Sequence, residues 1–231
     1  ALCRVWADGG PSARAIAVDR DPAVLERARH GRVATVAVDV RDAGRLRGLK
    51  ADVVFAGNFS IGYLHTRGEL LAYLRVARER VGDRGVFVCD TYGGASAFVP
   101  GVVERAHRVP AGRYPGVADG SRVLYSWEQR EADPLTGRVR DVLHFRLESP
   151  GKDGPEIVGE WPEAFVYEWR LWSVPELREA MLEAGFASTE VYSTMPDAVD
   201  DEGVAYVEPV SGAEVGESFI VLVAGRTRTR A

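Results

Sequence analysis

The chain has 231 residues, of which 46% are hydrophobic and 27% charged, and a net charge of −5; these are the proportions of a globular protein large enough for a real core. The acidic balance, with no run of Lys or Arg before the terminal Arg226-Thr-Arg-Thr-Arg230, argues against a nucleic-acid footprint. Cys3 and Cys89 are too few for a disulfide framework or a metal cluster, Lys50 and Lys152 are the only lysines, and no stretch reaches the roughly 18 apolar residues of a membrane span, so a reduced, cytoplasmic setting with no bound metal is expected.

Residues 1–7 read as the later turns of an amphipathic helix without a cap. Asp8-Gly9-Gly10-Pro11 follows as a helix-to-strand turn. Residues 14–19 form a short apolar run ending in Asp19. Pro22 then opens a helix through Ala28, with Asp21 as its N-cap. A second run covers residues 33–38 and ends at Asp39, and a weak helix is expected over Ala43–Leu49. The third run, Asp52–Ala56, breaks at Gly57-Asn58. Thr66…Glu69 is a capping box for a helix through Val81, and Val86–Asp90 is the fourth run. Apolar runs without polar alternation fit parallel strands covered on both faces, and helices between them fit right-handed βαβ units. The expected fold is α/β, a Rossmann-like doubly wound sheet.

After Gly93-Gly94 the pattern changes. Residues 95–121 carry Pro100, Pro110 and Pro115 and are expected to be loop with one short helix at most. Arg122–Arg130 and Arg138–Glu148 flank Asp133-Pro-Leu-Thr-Gly137, a hairpin signal, and Ala164–Trp172 is a third extended segment. Together, residues 95–172 form an antiparallel layer inserted in a single domain of residues 1–231. Pro175–Ala184 is a helix closed by Gly185. Ser188–Ser193 and Ser218–Ala224 are strands on either side of an acidic, mobile stretch.

Two carboxylates carry the chemistry. Asp19, at a strand end before a helix, can accept both hydroxyls of a ribose; the plainer reading, a helix cap, suits Asp21 better. Asp39, one strand further along the same edge, can take an adenine amino group while the Val40 amide donates to a ring nitrogen. A turn residue is the alternative there.

In order and spacing, Ala17-Val-Asp19, Asp39-Val40, Asp52-Val-Val-Phe-Ala-Gly-Asn58, the Leu70–Val81 helix and Gly85-Val-Phe-Val-Cys-Asp90 resemble the successive motifs of class I S-adenosylmethionine-dependent methyltransferases. Trp169-Arg-Leu-Trp-Ser-Val-Pro175 with Ala184-Gly-Phe186 resembles a late segment of the small-molecule members. The resemblance implies a seven-stranded sheet with an antiparallel last strand at Ser218–Ala224, and S-adenosyl-L-methionine as cofactor. Asp19, with Arg20 beside it, would hold the ribose, Asp39 and Val40 the adenine, and Gly57, Asn58 and Phe59 the methionine end. The family's first strand carries an acidic residue and a glycine-rich turn, and nothing in this chain matches them. That implies that the central strand and its loop are missing from the chain, and that the chain alone binds cofactor weakly or not at all.

Methyl transfer needs an in-line nucleophile and exclusion of water more than an acid–base pair, so no catalytic residue is singled out. Tyr63, His65, Asp90 and Tyr92 follow strand ends where a small-molecule acceptor belongs. His65 reads better as a residue leading into the helix than as a base, and Tyr92 as a wall. In the inserted layer Tyr125, Trp127, Trp161, Phe165, Tyr167, Trp169 and Trp172 form a candidate lid. At period two Phe165, Tyr167 and Trp169 share one face, expected to pack on the sheet. Glu168 and Arg170, with Glu128 and His144, would then face the pocket or water. Two other readings stand beside this one: a nicotinamide-dependent oxidoreductase, for which neither lysine follows a Tyr-x-x-x-Lys pattern, and a non-catalytic relative that binds a metabolite.

Overall fold

The computed structural model describes residues 2–42, 44–46, 48–194, 198–199, 205–212 and 215–228. Helix α1 (Leu2–Asp8) leads through the Gly9-Gly10 turn into β1 (Ala15–Asp19), α2 (Pro22–Ala28) and β2 (Val33–Ala37). Asp21 caps α2 by accepting from the Ala23 amide at 2.8 Å, with Pro22 in the first turn. Strands β1 and β2 pair in parallel from Ala15↔Val33 to Asp19↔Ala37. They share a small core of Ala7, Ala17, Leu25 and Val33. The helix expected over 43–49 is a run of turns at its described residues, closed by the Leu46 N–H to Asp42 and the Leu49 N–H to Leu46. Residues 43 and 47 lie outside the described residues.

The larger sheet combines β3 (Ala51–Ala56), β4 (Val81–Gly94), β9 (Ser188–Ser193) and β12 (Ser218–Arg226) in the order β3-β4-β12-β9. Strands β3 and β4 run parallel, while β12 is antiparallel to both of its neighbours. Helices α3 (Arg67–Arg80) and α4 (Val174–Glu183) pack together on one face of this sheet. Both open with complete capping boxes, Thr66 with Glu69 and Ser173 with Glu176. Leu70, Leu74, Leu177, Met181, Phe87, Cys89, Val221 and Val223 are buried between them, each aliphatic side chain contributing about 1.5–3 kcal/mol. The opposite face is less covered than the apolar runs imply: Phe55 and Ile220 are 44% and 45% exposed. No pairing joins β1 to β3 among the described residues, so the parallel strands stand in two sheets.

The third sheet is an antiparallel meander of β5 (Gly101–Arg108), β6 (Arg122–Asp133), β7 (Arg138–Gly151) and β8 (Gly154–Arg170). Strand β5 lies in the stretch expected to be loop. Every one of its residues is exposed, so it has no buried face to impose an apolar alternation, and Pro100 and Pro110 sit just outside its ends. The expected mobile acidic stretch between β9 and β12 falls partly outside the described residues; its described part contains the short pair β10 (Ala198–Val199) and β11 (Ala205–Tyr206). No described helix is long and apolar enough to cross a membrane.

Candidate functional site

The C-terminal ends of β1, β2, β3 and β4 carry the candidate residues. The Val38 amide bonds to the Asp19 carbonyl at 2.9 Å, continuing the β1–β2 pairing and bringing Asp39 beside the end of β1. One oxygen of Asp19 accepts the Asp21 amide at 2.8 Å, and no described group bonds the other. Asp39 is more committed. Arg41 grips both its oxygens, at 2.9 and 2.7 Å, and the Arg41 amide adds a third bond at 2.9 Å. These bonds hold its carboxyl down at about 2. Val40 beside it is exposed. The Arg20 guanidinium acts electrostatically on both Asp39 and Tyr63, so the ends of β1 and β2 and the loop after β3 share one neighbourhood.

The end of β3 turns sharply. Asn58 and Phe59 both have left-handed backbones, with φ of 57° and 55°, a conformation costing about 1–2 kcal/mol for each non-glycine residue. Asp90, on the adjoining β4, holds the corner: its carboxylate accepts the Asn58 amide at 2.8 Å and the Phe59 amide at 2.7 Å. Burial raises the Asp90 pKa against the lowering effect of those bonds. Gly57 has no Cβ because the Phe55 ring folds over it, 2.2 Å from where a Cβ would stand.

The corner delivers the Phe59 ring into an aromatic cluster. It meets Tyr92, Trp127 and Trp169 edge-on, with centroids 5.1, 5.8 and 5.6 Å away, the favourable arrangement for aromatic quadrupoles. Tyr63, on the 3-10 turn Ser60–Tyr63, approaches Trp169 and Tyr167 at 6.1 and 6.5 Å. Tyr167 stacks on Trp169 at 4.4 Å. The buried indole N–H of Trp169 lies near the Tyr63 phenol but outside hydrogen-bond geometry. Burial raises the Tyr63 and Tyr92 phenols above the ordinary range. The face of β8 bearing Phe165, Tyr167 and Trp169 therefore turns towards the strand ends.

His65, Glu168 and Arg170 occupy a seam beside this cluster. The His65 Nε2 bonds to the Glu168 carbonyl at 2.9 Å, and Arg170 donates to the His65 carbonyl at 3.1 Å. The Arg170 guanidinium lies 3.8 Å over the Trp172 ring, whose indole N–H donates to the Leu64 carbonyl at 2.9 Å. Trp172 is thus core, not lid. Glu128 and His144 stand on the alternate positions of β6 and β7, away from the aromatic face, bonded to each other at 3.0 Å.

Sequence reasoning missed Asp141 and Gln129. Asp141 is fully buried, with the Tyr92 hydroxyl 3.0 Å from one carboxyl oxygen and the Trp127 indole N–H donating to the other at 3.0 Å. Gln129 bonds Tyr92 and the carbonyls of Ala97 and Val99. The signal was present: Val139, Asp141 and Leu143 share one strand face, so a carboxylate interrupts an apolar row.

No protein-family model and no curated protein sequence matches the chain. Solved structures do resemble it. DesVI of Streptomyces venezuelae is 19% identical, with a TM-score of 0.58 over 97% of this chain and 88% of that one. CalS10, an amino pentose methyltransferase of Micromonospora echinaspora solved with S-adenosylmethionine bound, is 17% identical, with a TM-score of 0.57 over 98% of this chain and 89% of that one. An S-adenosylmethionine-dependent methyltransferase of Clostridium acetobutylicum is 13% identical, with a TM-score of 0.55 over 94% and 76% of the two chains. At these identities the likeness establishes the fold, that of class I S-adenosylmethionine-dependent methyltransferases.

Proposed function

We propose that the chain takes part in methyl transfer from S-adenosyl-L-methionine to a small-molecule acceptor. The observation that carries this reading is the succession of Asp19, Asp39 and the Asp90-held Asn58-Phe59 corner at the C-terminal ends of two parallel strand pairs, β1–β2 and β3–β4. The bound cofactor supplies an electrophilic methyl on a sulfonium. Asp19 offers a free carboxylate oxygen to a ribose hydroxyl. Asp39 has a lone pair left on Oδ2 for an adenine amino group while Arg41 keeps it ionised. Gly57 and Asn58 line the methionine end, and Arg20 closes the rim between Asp39 and Tyr63. Phe59, Tyr92, Trp127 and Trp169 form a water-excluding acceptor wall, with Tyr63 at its mouth. His65, Glu168 and Arg170 fasten that wall rather than touch the acceptor. Amines on sugars come first among acceptors because CalS10 is an amino pentose methyltransferase. A cytoplasmic setting goes with this reading.

The test is a titration with S-adenosylhomocysteine, carried to millimolar concentration and followed by amide chemical shifts. Shifts are expected at Asp19, Asp39–Val40 and Gly57–Phe59, and Asp19→Ala should weaken binding at least about tenfold, the loss of a charge-assisted hydrogen bond. Shifts confined to other surfaces, or an indifferent Asp19→Ala, would defeat the assignment.

A further inference from the structure

Asp141 has no solvent exposure, and its surroundings can be tested by counting hydrogens. Gln129 spends both amide hydrogens on the carbonyls of Ala97 and Val99, at 3.0 and 2.9 Å. That fixes the direction of the amide, so Gln129 can only accept on its other side, where Oε1 lies 3.3 Å from the Tyr92 hydroxyl. The same hydroxyl lies 3.0 Å from Asp141 Oδ2. Tyr92 has one hydrogen and faces two oxygens. With Asp141 ionised, one of the two buried oxygens is left against the phenol without a proton, which is costly. A proton on Asp141 closes the count. Oδ2–H donates to Tyr92, Tyr92 donates to Gln129 Oε1, and the Trp127 N–H donates to Oδ1 at 3.0 Å.

The titratable groups facing Asp141 are Tyr92 on β4, Tyr125 on β6 and Tyr167, its cross-strand partner on β8. The cation on that side of the sheet is Arg105 on β5, across from Tyr125; it acts on the Tyr125 phenol, and no cation bonds or acts on Asp141 among the described residues. We infer that Asp141 is a neutral carboxylic acid and the positioning residue of the aromatic wall, fixing Tyr92 and Trp127 from two different sheets. Burial raises its pKa in the same sense. That this wall receives an acceptor rests on the proposed function; the proton on Asp141 does not. Since Tyr92 both accepts from Asp141 and donates to Gln129, its hydroxyl has nothing left for a substrate proton, and only its ring serves the site.

The decisive measurement is the infrared carbonyl stretch of a protonated carboxyl near neutral pH. The band should appear in the wild-type chain, move to lower frequency on labelling with carboxyl-13C aspartate, and be absent from Asp141→Asn. The labelled wild type suffices if the variant does not fold; Asp90, bonded only by donors, contributes no such band. Asn supplies the same donor and acceptor, so Asp141→Asn should keep the near-ultraviolet circular dichroism of the aromatic cluster, whereas Asp141→Ala should lose it. Absence of the band in labelled wild type, or a loss in Asp141→Asn as large as in Asp141→Ala, overturns the inference. S-adenosylhomocysteine shifts confined to other surfaces, or an indifferent Asp19→Ala, would defeat the functional reading and leave the band in place.

Discussion

Replacing Asp90 with Ala removes the acceptor that holds two consecutive left-handed residues. The Phe59 amide is half-buried and loses a charge-assisted bond of 2.7 Å, a cost of about 1.5–3 kcal/mol. The Asn58 amide, bonded at 2.8 Å at an exposed position, can turn to water and loses about 0.5–1 kcal/mol. The expected total is therefore about 2–4 kcal/mol, limited from above because the released corner relieves its own strain. Urea denaturation gives the loss directly, and tryptophan emission reports whether Phe59 has left Trp127 and Trp169. Asp90→Asn should not rescue, because its amide group would turn a donor towards a backbone N–H. That outcome is the opposite of the one expected at Asp141, where Asn fits. A loss below about 1 kcal/mol with unchanged emission would refute the idea that Asp90 holds the corner.

Two further perturbations probe neighbouring contacts. Arg41 holds the Asp39 carboxyl at about 2, below its ordinary 3.8. A depressed carboxylate stabilises the fold above its unfolded pKa, and that contribution is lost as pH falls from 3.8 through about 2. In Arg41→Ala the Asp39 resonance should titrate higher, towards 3.8, and the acid-dependent loss should shrink, the residue-41 amide and Arg20 being the lowering influences that remain; an unmoved midpoint would show that the Arg41 side chain is not the cause. In Gly62→Ala the new Cβ would stand 2.8 Å from the Cβ and Cγ of Trp169, a buried side chain with little room to yield. Thermal denaturation should show a loss of about 1–3 kcal/mol with red-shifted emission, and unaltered emission would mean that the turn gives way instead of the indole.

Much of the parallel part was legible because its signals are local. Asp21-Pro22, Thr66 with Glu69 and Ser173 with Glu176 are caps readable within four residues, and each stands where the sequence places a helix start. The strand-end positions of Asp19 and Asp39 were legible by the same token, at the ends of apolar runs. At Asp141 the local signal, a carboxylate between Val139 and Leu143 on one strand face, marks an anomaly without its meaning, which depends on Tyr92 and Trp127, distant in sequence. Strand β5 was invisible for the opposite reason: its eight residues are all exposed and leave no periodic trace. Period two grouped Phe165, Tyr167 and Trp169 on one face, but only the left-handed Phe59 shows what that face meets.

The seam beside the aromatic cluster also bears on the order in which the molecule is made. Its bonds join residues 64–65 to residues 168–172 across 103, 105 and 108 positions of chain. Contacts of such span close late, because loop entropy must be spent before they return anything. During synthesis the strand ends carrying Asp19, Asp39 and Asp90 emerge well before β8, and the loop that leads into α3 waits for its fastener. The seam beside the aromatic cluster is consequently among the last parts of the fold to become rigid.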